Sequence, residues 1–150
     1  MTDYSIRRAR RDDIGAIVRM LADDQLGATR DDPGDLEPYQ RAFADIDADP
    51  NQFLAVVTFD DEPVGTLQLT VIPGLARRGA LRGQIEAVRI HAEHRGSGLG
   101  ADLVRWAIDE SRRRGCALVQ LTSDVARTGA HRFYERLGFV PSHTGFKLKL

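Results

Sequence analysis

Three glycines fall within five positions of "HAEHRGSGLGADLVRW", residues 91–106, and an arginine stands directly ahead of them. Glycine loses more backbone entropy on ordering than any other residue, so such a cluster at the mouth of a helix needs a cause. The preceding "QIEAVRI" (84–90) reads as a strand. The following segment places Leu99, Leu103, Trp106 and Ala107 on one helical stripe, closed by "RRRG", with cations near the carboxyl end and Gly115 as a stop. A loop between the carboxyl end of a strand and the start of a helix is where α/β sheets hold ligands. Its free amides and positive dipole end suit a phosphate or pyrophosphate, and glycine lets the ligand oxygens reach those amides. Arg95 adds a fixed charge and a two-pronged donor.

The rest of the chain supplies a frame for that loop. "YSIRRAR" alternates as a first strand, and "RDDIGAIVRML" follows as a helix with Asp12 or Asp13 at its N-cap. "GATRDDPGDLEP" collects glycine, proline and acids and reads as a loop, and "YQRAFADIDAD" as a short helix. "QFLAVVTF" and "VGTLQLTVI" form a hairpin around "DDEP". "PGLARRGALRG" leads into the strand before the glycines. "CALVQL" is continuously apolar, as a strand in a sheet centre covered on both faces would be. "TGAHRFYERLG" is a fourth helix, and "FVPSHTGFKLKL" supplies one or two last strands. The fold class is therefore α/β with a mixed sheet of six to seven strands flanked by four helices, residues 1–150 forming one domain. Strand, helix and strand across 84–121 form a right-handed parallel unit.

Composition narrows the function classes. A formal charge of −1 provides no global field for nucleic acid or an anionic membrane, so neither is an expected partner. The single cysteine, Cys116, can form no internal disulfide; it reads as a buried, inert thiol in a reducing setting. "MTDYSIRRARRDD" has no apolar stretch after its charges, and no apolar run approaches the roughly 20 residues that span a bilayer, so the cytoplasm is the expected location. His91, His94 and His143 lack metal-ligand spacing with Cys116 or with acids, and no metal is expected. Gly96, Gly98 and Ala101 also satisfy the G-x-G-x-x-A dinucleotide pattern. That cluster normally follows the first strand of a domain, and too little chain follows Gly96 here.

"RGSGLG" matches R/Q-x-x-G-x-G/A, it follows "EAVRIHAEH", and "AHRFYERLGF" comes later, from Ala130 to Phe139. In this order and spacing the chain resembles the GNAT superfamily of acyl-coenzyme A-dependent N-acyltransferases, from Tyr4 to Phe146. The resemblance implies a GNAT-like fold, acetyl-CoA as co-substrate, and acetyl transfer to a primary amine of a small molecule or peptide by direct attack in a ternary complex. It places the pyrophosphate on the loop formed by Arg95, Gly96, Ser97, Gly98, Leu99 and Gly100, continued by Ala101. The pantetheine arm lies along the main chain of Val88, Arg89 and Ile90. A non-catalytic acyl-CoA-binding domain on the same fold is the alternative, and a second copy of the chain is an allowed partner.

Tyr134 matches the tyrosine many relatives place beside the coenzyme sulfur; a phenol, protonated at neutral pH, can protonate a departing thiolate. The other reading is that it fills the apolar stripe of its helix. Glu86 matches a glutamate that relatives use, through a water, to collect the amine proton. Alternation puts Glu86, Val88 and Ile90 on one strand face, and an acid there needs a task or a partner such as Arg82 or Arg89. His131 lies near Tyr134 on the helix. Where relatives often carry asparagine, this chain has Asp124 and Arg127, so Arg127 stands as a contact for a phosphate or a substrate carboxylate. Acceptor recognition falls to the two irregular stretches. One carries Asp31, Asp32, Asp35 and Glu37; the other carries Arg77, Arg78 and Arg82.

Overall fold

The sheet is organised around one tight hairpin. In the computed structural model, which describes residues 3–150, β2 (Gln52–Phe59) and β3 (Glu62–Ile72) are joined through Asp60 and Asp61. Both aspartates take positive φ, 49° and 66°, the twist that a two-residue hairpin turn demands and that Asp tolerates better than most residues. β1 (Tyr4–Arg8) pairs antiparallel with the outer edge of β2, and β4 (Leu81–Ile90) pairs antiparallel with β3. β5 (Cys116–Gln120) then lies parallel to β4, so the five strands run in the order β1-β2-β3-β4-β5.

Helices cover both faces. α1 (Ile14–Ala22) and α3 (Glu37–Ala48) lie on one side, where Ile17 and Met20 pack with Ala9 and Val56, flanked by Phe43 and Leu54. α2 (Gly27–Arg30), a single turn, lies between them in what reads from sequence as pure loop. α5 (Leu99–Arg113) lies on the other face, where Leu99, Leu103, Val104 and Ala107 pack on Ala55, Val57, Leu67, Leu69 and Ile85. Full burial of each large side chain here contributes about 1.5–3 kcal/mol. α5 approaches the sheet closely at Gly83, where a Cβ would stand 2.6 Å from the Ser111 hydroxyl. α6 (Thr128–Arg136) adds Phe133 and Tyr134 to the rim of this larger core. Between β3 and β4, the turn α4 (Ala76–Gly79) winds left-handed through Arg77, Arg78 and Gly79, all with positive φ.

Two expectations from sequence fail at the end of the chain. No strand forms within residues 139–150, so the described sheet has five strands rather than six or seven. β5 is consequently an edge and not a centre, and none of its residues is fully buried. A continuous apolar run looks the same in either place, because edge or centre is decided by a neighbour elsewhere in the chain. Cys116 is accordingly half-buried, though burial still pushes its thiol pKa up.

Two carboxylates are held by arginines, Asp13 between β1 and α1 and Glu110 within the last turn of α5. Asp13, at the entrance to α1, accepts two bonds from the Arg7 guanidinium, at 2.7 and 3.1 Å, and one from the Arg10 amide at 2.7 Å. Burial opposes its ionisation, but Arg7 and the Arg10 amide outweigh it and hold the carboxyl below the ordinary aspartate range. Glu110, on α5, is held down to about 2 chiefly by Arg113, against the opposing effect of burial, with Arg114 adding to it. Both groups bind protons more weakly folded than unfolded. Their stabilisation is complete above the unfolded values of 3.8 and 4.5 and is lost as pH falls through the folded ones. Denaturant midpoints should therefore fall steadily from about pH 5 towards pH 2. Asp13→Ala should cost about 3 kcal/mol at neutral pH, because it strands the Arg7 charge. A flat profile over that range, or a neutral Asp13→Ala, would contradict this assignment.

Candidate active site

β4 and β5 part company halfway. They are paired from Leu81 to Gln84 on β4 and from Cys116 to Gln120 on β5; β5 then ends while β4 runs on to Ile90. From Ile85 onward, β4 has a strand on its β3 side only. The same segment contains a bulge. Gln68 pairs with Glu86 and Thr66 with Arg89, so Ala87 and Val88 stand opposite Leu67 alone. Ala87 takes a φ of 55°, a left-handed conformation that costs a non-glycine residue about 1–2 kcal/mol.

The bulge changes which side chains share a face. Ile85 and Ile90 pair with Leu69 and Gly65 on the α5 face, whereas Glu86 and Arg89 pair with Gln68 and Thr66 on the α1 face. Regular alternation predicts Glu86, Val88 and Ile90 together. The inserted residue breaks that pattern: Val88 and Ile90 pack against the larger core, and Glu86 is exposed on the opposite side.

Beyond β4, a short 3-10 turn (Ala92–His94) leads into the glycine loop. Gly96 and Gly98 both take positive φ, 78° and 83°, and a Cβ on either would meet nothing within 4 Å. Their missing side chains therefore leave open space as well as backbone freedom. Gly98 caps α5, and the first backbone bond of that helix runs from the Asp102 amide to the Gly98 carbonyl at 3.1 Å. Among the described residues, the amides from Gly96 to Ala101 donate to no carbonyl. These are backbone donors without a carbonyl partner at a positive helix end, a place that suits phosphate oxygens. Gly100 instead faces inward, where a Cβ would stand 3.6 Å from Phe133 Cζ and 3.7 Å from Ile90 Cγ1. α5, α6 and the end of β4 thus converge at one point.

The loop is held from behind by contacts that sequence reading misses. The Tyr4 hydroxyl lies 3.0 Å from His94 Nδ1, and Phe59 packs against both rings. Arg95 donates to the Ile90 carbonyl at 3.0 Å and reaches Asp23, at the end of α1, at 3.4 Å. The Ser97 hydroxyl donates to the His94 carbonyl at 2.7 Å. Arg95 and Ser97 thereby brace the loop in addition to lining it.

Tyr134 sits half-buried on α6, its ring edge-on to Phe133 and Phe139. Burial pushes its phenol pKa up, opposed by the positive charges of Arg127 and Arg89, so the proton is retained at neutral pH. Arg89 is paired with Asp24 at 3.2 Å and donates to the Val88 carbonyl. The carboxyl of Asp24 lies below its ordinary range, first because the Gly27 amide donates to it, and also because Arg89 and Arg127 are near. Glu86 takes up neither proposed ion pair: among the described residues its carboxylate has no cationic partner. His131 turns away to the Asp124 carbonyl, 2.8 Å from its Nε2. The loop acids are occupied locally, with Asp31 accepting from Tyr39, Asp32 from the Gly34 amide and Glu37 paired with Arg41. Among the described residues no cluster of three or more His, Cys, Asp or Glu side chains could hold a metal ion, and no helix is long and apolar enough to cross a membrane.

A mixed sheet opened at its one parallel pair, with a glycine loop capping the helix beside the opening, is an α/β acyltransferase fold. The chain belongs to the GNAT acetyltransferases: the model described as "Acetyltransferase (GNAT) family" matches residues 16–139. Over 112 residues it is 31% identical to the aminoalkylphosphonate N-acetyltransferase of Salmonella typhimurium, spanning 75% of this chain and 72% of that protein. A solved transcriptional regulator from Bacillus halodurans C-125 superposes with a TM-score of 0.94 at 45% identity, over 98% of this chain and 99% of that one. A Trypanosoma brucei acetyltransferase superposes with a TM-score of 0.81 at 26% identity, covering 99% of this chain and all (100%) of the other.

The loop geometry sets up a substitution test. Aspartate tolerates the left-handed conformation at Gly98 and would put a negative charge into the open space of the cradle. Gly98→Asp should therefore fold while its affinity for coenzyme A, measured by calorimetry, falls at least tenfold, about 1.4 kcal/mol. Gly98→Asn, with similar shape and no charge, should lose less. Unchanged affinity in a folded Gly98→Asp protein would remove the loop from the binding site.

Proposed function

We propose that the protein transfers an acetyl group from acetyl-CoA to a primary amine of a small molecule or peptide, both substrates being bound together. The observation that carries this reading is the opening between β4 and β5, with unpaired loop amides at one end and the Tyr134 phenol beside it. Acetyl-CoA supplies the acyl group as a thioester whose departing sulfur needs a proton. The amides from Gly96 to Ala101, with Arg95, hold the diphosphate, and Arg127 adds positive charge on the α6 side. The main chain of Val88, Arg89 and Ile90, paired with β3 on one side and with no strand on the other, holds the extended arm.

Proton traffic is divided between the two faces of the sheet. Tyr134, from the α6 side, holds a proton in a site where burial disfavours the phenolate, which makes it the donor to the sulfur. Glu86, exposed on the α1 face and free of an ion pair, collects the proton of the attacking amine through water. The bulge at Ala87 sets this separation by turning Glu86 to the face opposite Val88 and Ile90. The Asp24–Arg89 pair lies on the same face as Glu86 and gives that side mixed charge, suited to a polar amine.

The test is acetyl-CoA-dependent thiol release over a panel of amines, with wild type and Tyr134→Phe compared on the best acceptor. Losing one hydroxyl should change stability by about 1 kcal/mol or less. Turnover should fall roughly 100-fold, the scale of a lost general acid, while coenzyme A binding survives. Wild-type turnover in Tyr134→Phe would return Tyr134 to a packing role. Absence of thiol release with every amine would contradict the activity.

A further inference from the structure

We infer that the amine acceptor carries an acid group, a carboxylate or a phosphate, which binds the Arg89 guanidinium on the α1 face of β4. The inference deepens the acetyl-transfer reading and rests on it. Among the described residues, two buried side-chain polar atoms have no hydrogen-bond partner, Arg89 Nε and Ser123 Oγ. Arg89 stands on β4 and Ser123 lies just past the end of β5, the two strands that bound the opening. A buried donor without a partner is a cost, and the chain's own fold does not relieve it here.

The Arg89 side chain is only 17% exposed and is held from two directions. Its Nη1 donates to the Val88 carbonyl at 2.9 Å. Its Nε stands 3.2 Å from Asp24 Oδ2, close enough for an ion pair but without the alignment of a hydrogen bond. Asp24 is itself engaged by the Gly27 amide. The positive charges of Arg89 and Arg127 both bear on Asp24 and on Tyr134, so two cations stand against that one carboxylate at the mouth of the opening. A planar guanidinium matches a carboxylate or a phosphate with paired donors, which makes an acid group the fitting occupant.

The face on which this donor lies gives the acid group to the acceptor and not to coenzyme A. Arg89 and Glu86 pair with Thr66 and Gln68 on the α1 face, whereas Val88 and Ile90 pack against the larger core and the glycine loop lies beyond Ile90. Thr66 and Gln68 are two residues apart, so Glu86 and Arg89 start roughly 7 Å from one another. A short molecule spans that distance, its amine reaching Glu86 through water and its acid group reaching Arg89. Glu86 with Asp24, and Arg89 with Arg127, give this face charges of both signs, the complement of a zwitterion. The amine nitrogen then forms the new C–N bond as the thioester C–S bond breaks. Its proton passes through water to Glu86, the sulfur takes the proton of Tyr134, and solvent restores both groups. Arg89 takes no proton and acts by positioning.

Two matched pairs of amines test this: β-alanine against propylamine, and O-phosphoethanolamine against ethanolamine. In thiol-release assays the wild-type kcat/KM should be at least roughly tenfold higher for the acidic member of one or both pairs. The pair with the larger ratio tells carboxylate from phosphate. Arg89→Met keeps the aliphatic stem and should bring that ratio close to one, chiefly through a higher KM, while Arg89→Lys recovers part of it. Neutral amines acetylated as fast as their acidic counterparts, or a ratio unaltered in a folded Arg89→Met protein, would overturn the inference and leave acetyl transfer standing. Binding is read apart from turnover by the NMR resonance of the Arg89 Nε–H in the coenzyme A-loaded protein. It should move on addition of β-alanine or O-phosphoethanolamine and hold still with propylamine. A resonance unmoved by both acids would overturn the inference whether or not any amine is acetylated. Movement without thiol release from any amine would keep Arg89 as the acid-group site and contradict acetyl transfer instead.

Discussion

The feature on which the site depends is the interruption of one parallel strand pair. β4 and β5 are bonded over only a few positions, from Leu81 and Cys116 to Gln84 and Gln120, and beyond them β4 continues with β3 as its strand neighbour on one side. Beyond Gln84, β4 keeps its β3 ladder on one side and leaves the other edge without a strand, an edge that an extended ligand can continue. The bulge at Ala87 turns the strand where the opening begins. Its positive φ is a local cost that the surrounding hairpin over-determines through the β3 register on either side. Without the separation there would be no slot, and without the bulge Glu86 would lie on the face where Val88 and Ile90 pack.

The loop at the end of that strand depends on rigidity behind it. Unpaired amides bind an anion well only if they need not reorganise. Tyr4 and Phe59, from the far edge of the sheet, fix His94, while Arg95 ties the loop to both the Ile90 carbonyl and Asp23. α6 closes the other side through Phe133, against Gly100 and Ile90. The helix that carries Tyr134 is thereby positioned by the same residues that begin α5. The glycine loop and the helix of Tyr134 are mechanically one unit.

Much of this could be read from the chain alone, for identifiable reasons. The glycine loop was legible because left-handed backbone selects glycine, and Gly96 and Gly98 do take positive φ. The hairpin was legible because Asp60 and Asp61 are turn formers between two apolar runs, and the α5 stripe because Leu99, Leu103 and Ala107 recur at helical spacing. The bulge was not legible, since alanine gives no sign of a left-handed φ, and the face of Glu86 was misassigned as a result. Nor could a local pattern reveal the Arg89–Asp24 pair or the Tyr4–His94 contact, which join residues far apart in the chain. The edge position of β5 was hidden for the same reason, because a strand's neighbours are not written in its own residues.

We propose that the β4–β5 opening and the loop above it form one continuous site for coenzyme A. Amide chemical shifts followed by NMR during coenzyme A titration test it most directly, because they report on backbone groups one at a time. The largest changes are expected at Gly96, Gly98, Leu99, Gly100 and Ala101, with a second set at Val88, Arg89 and Ile90 and little response in β1 or the tail. Changes that spare the loop and concentrate along the outer edge of β5, or anywhere else away from the opening, would contradict it.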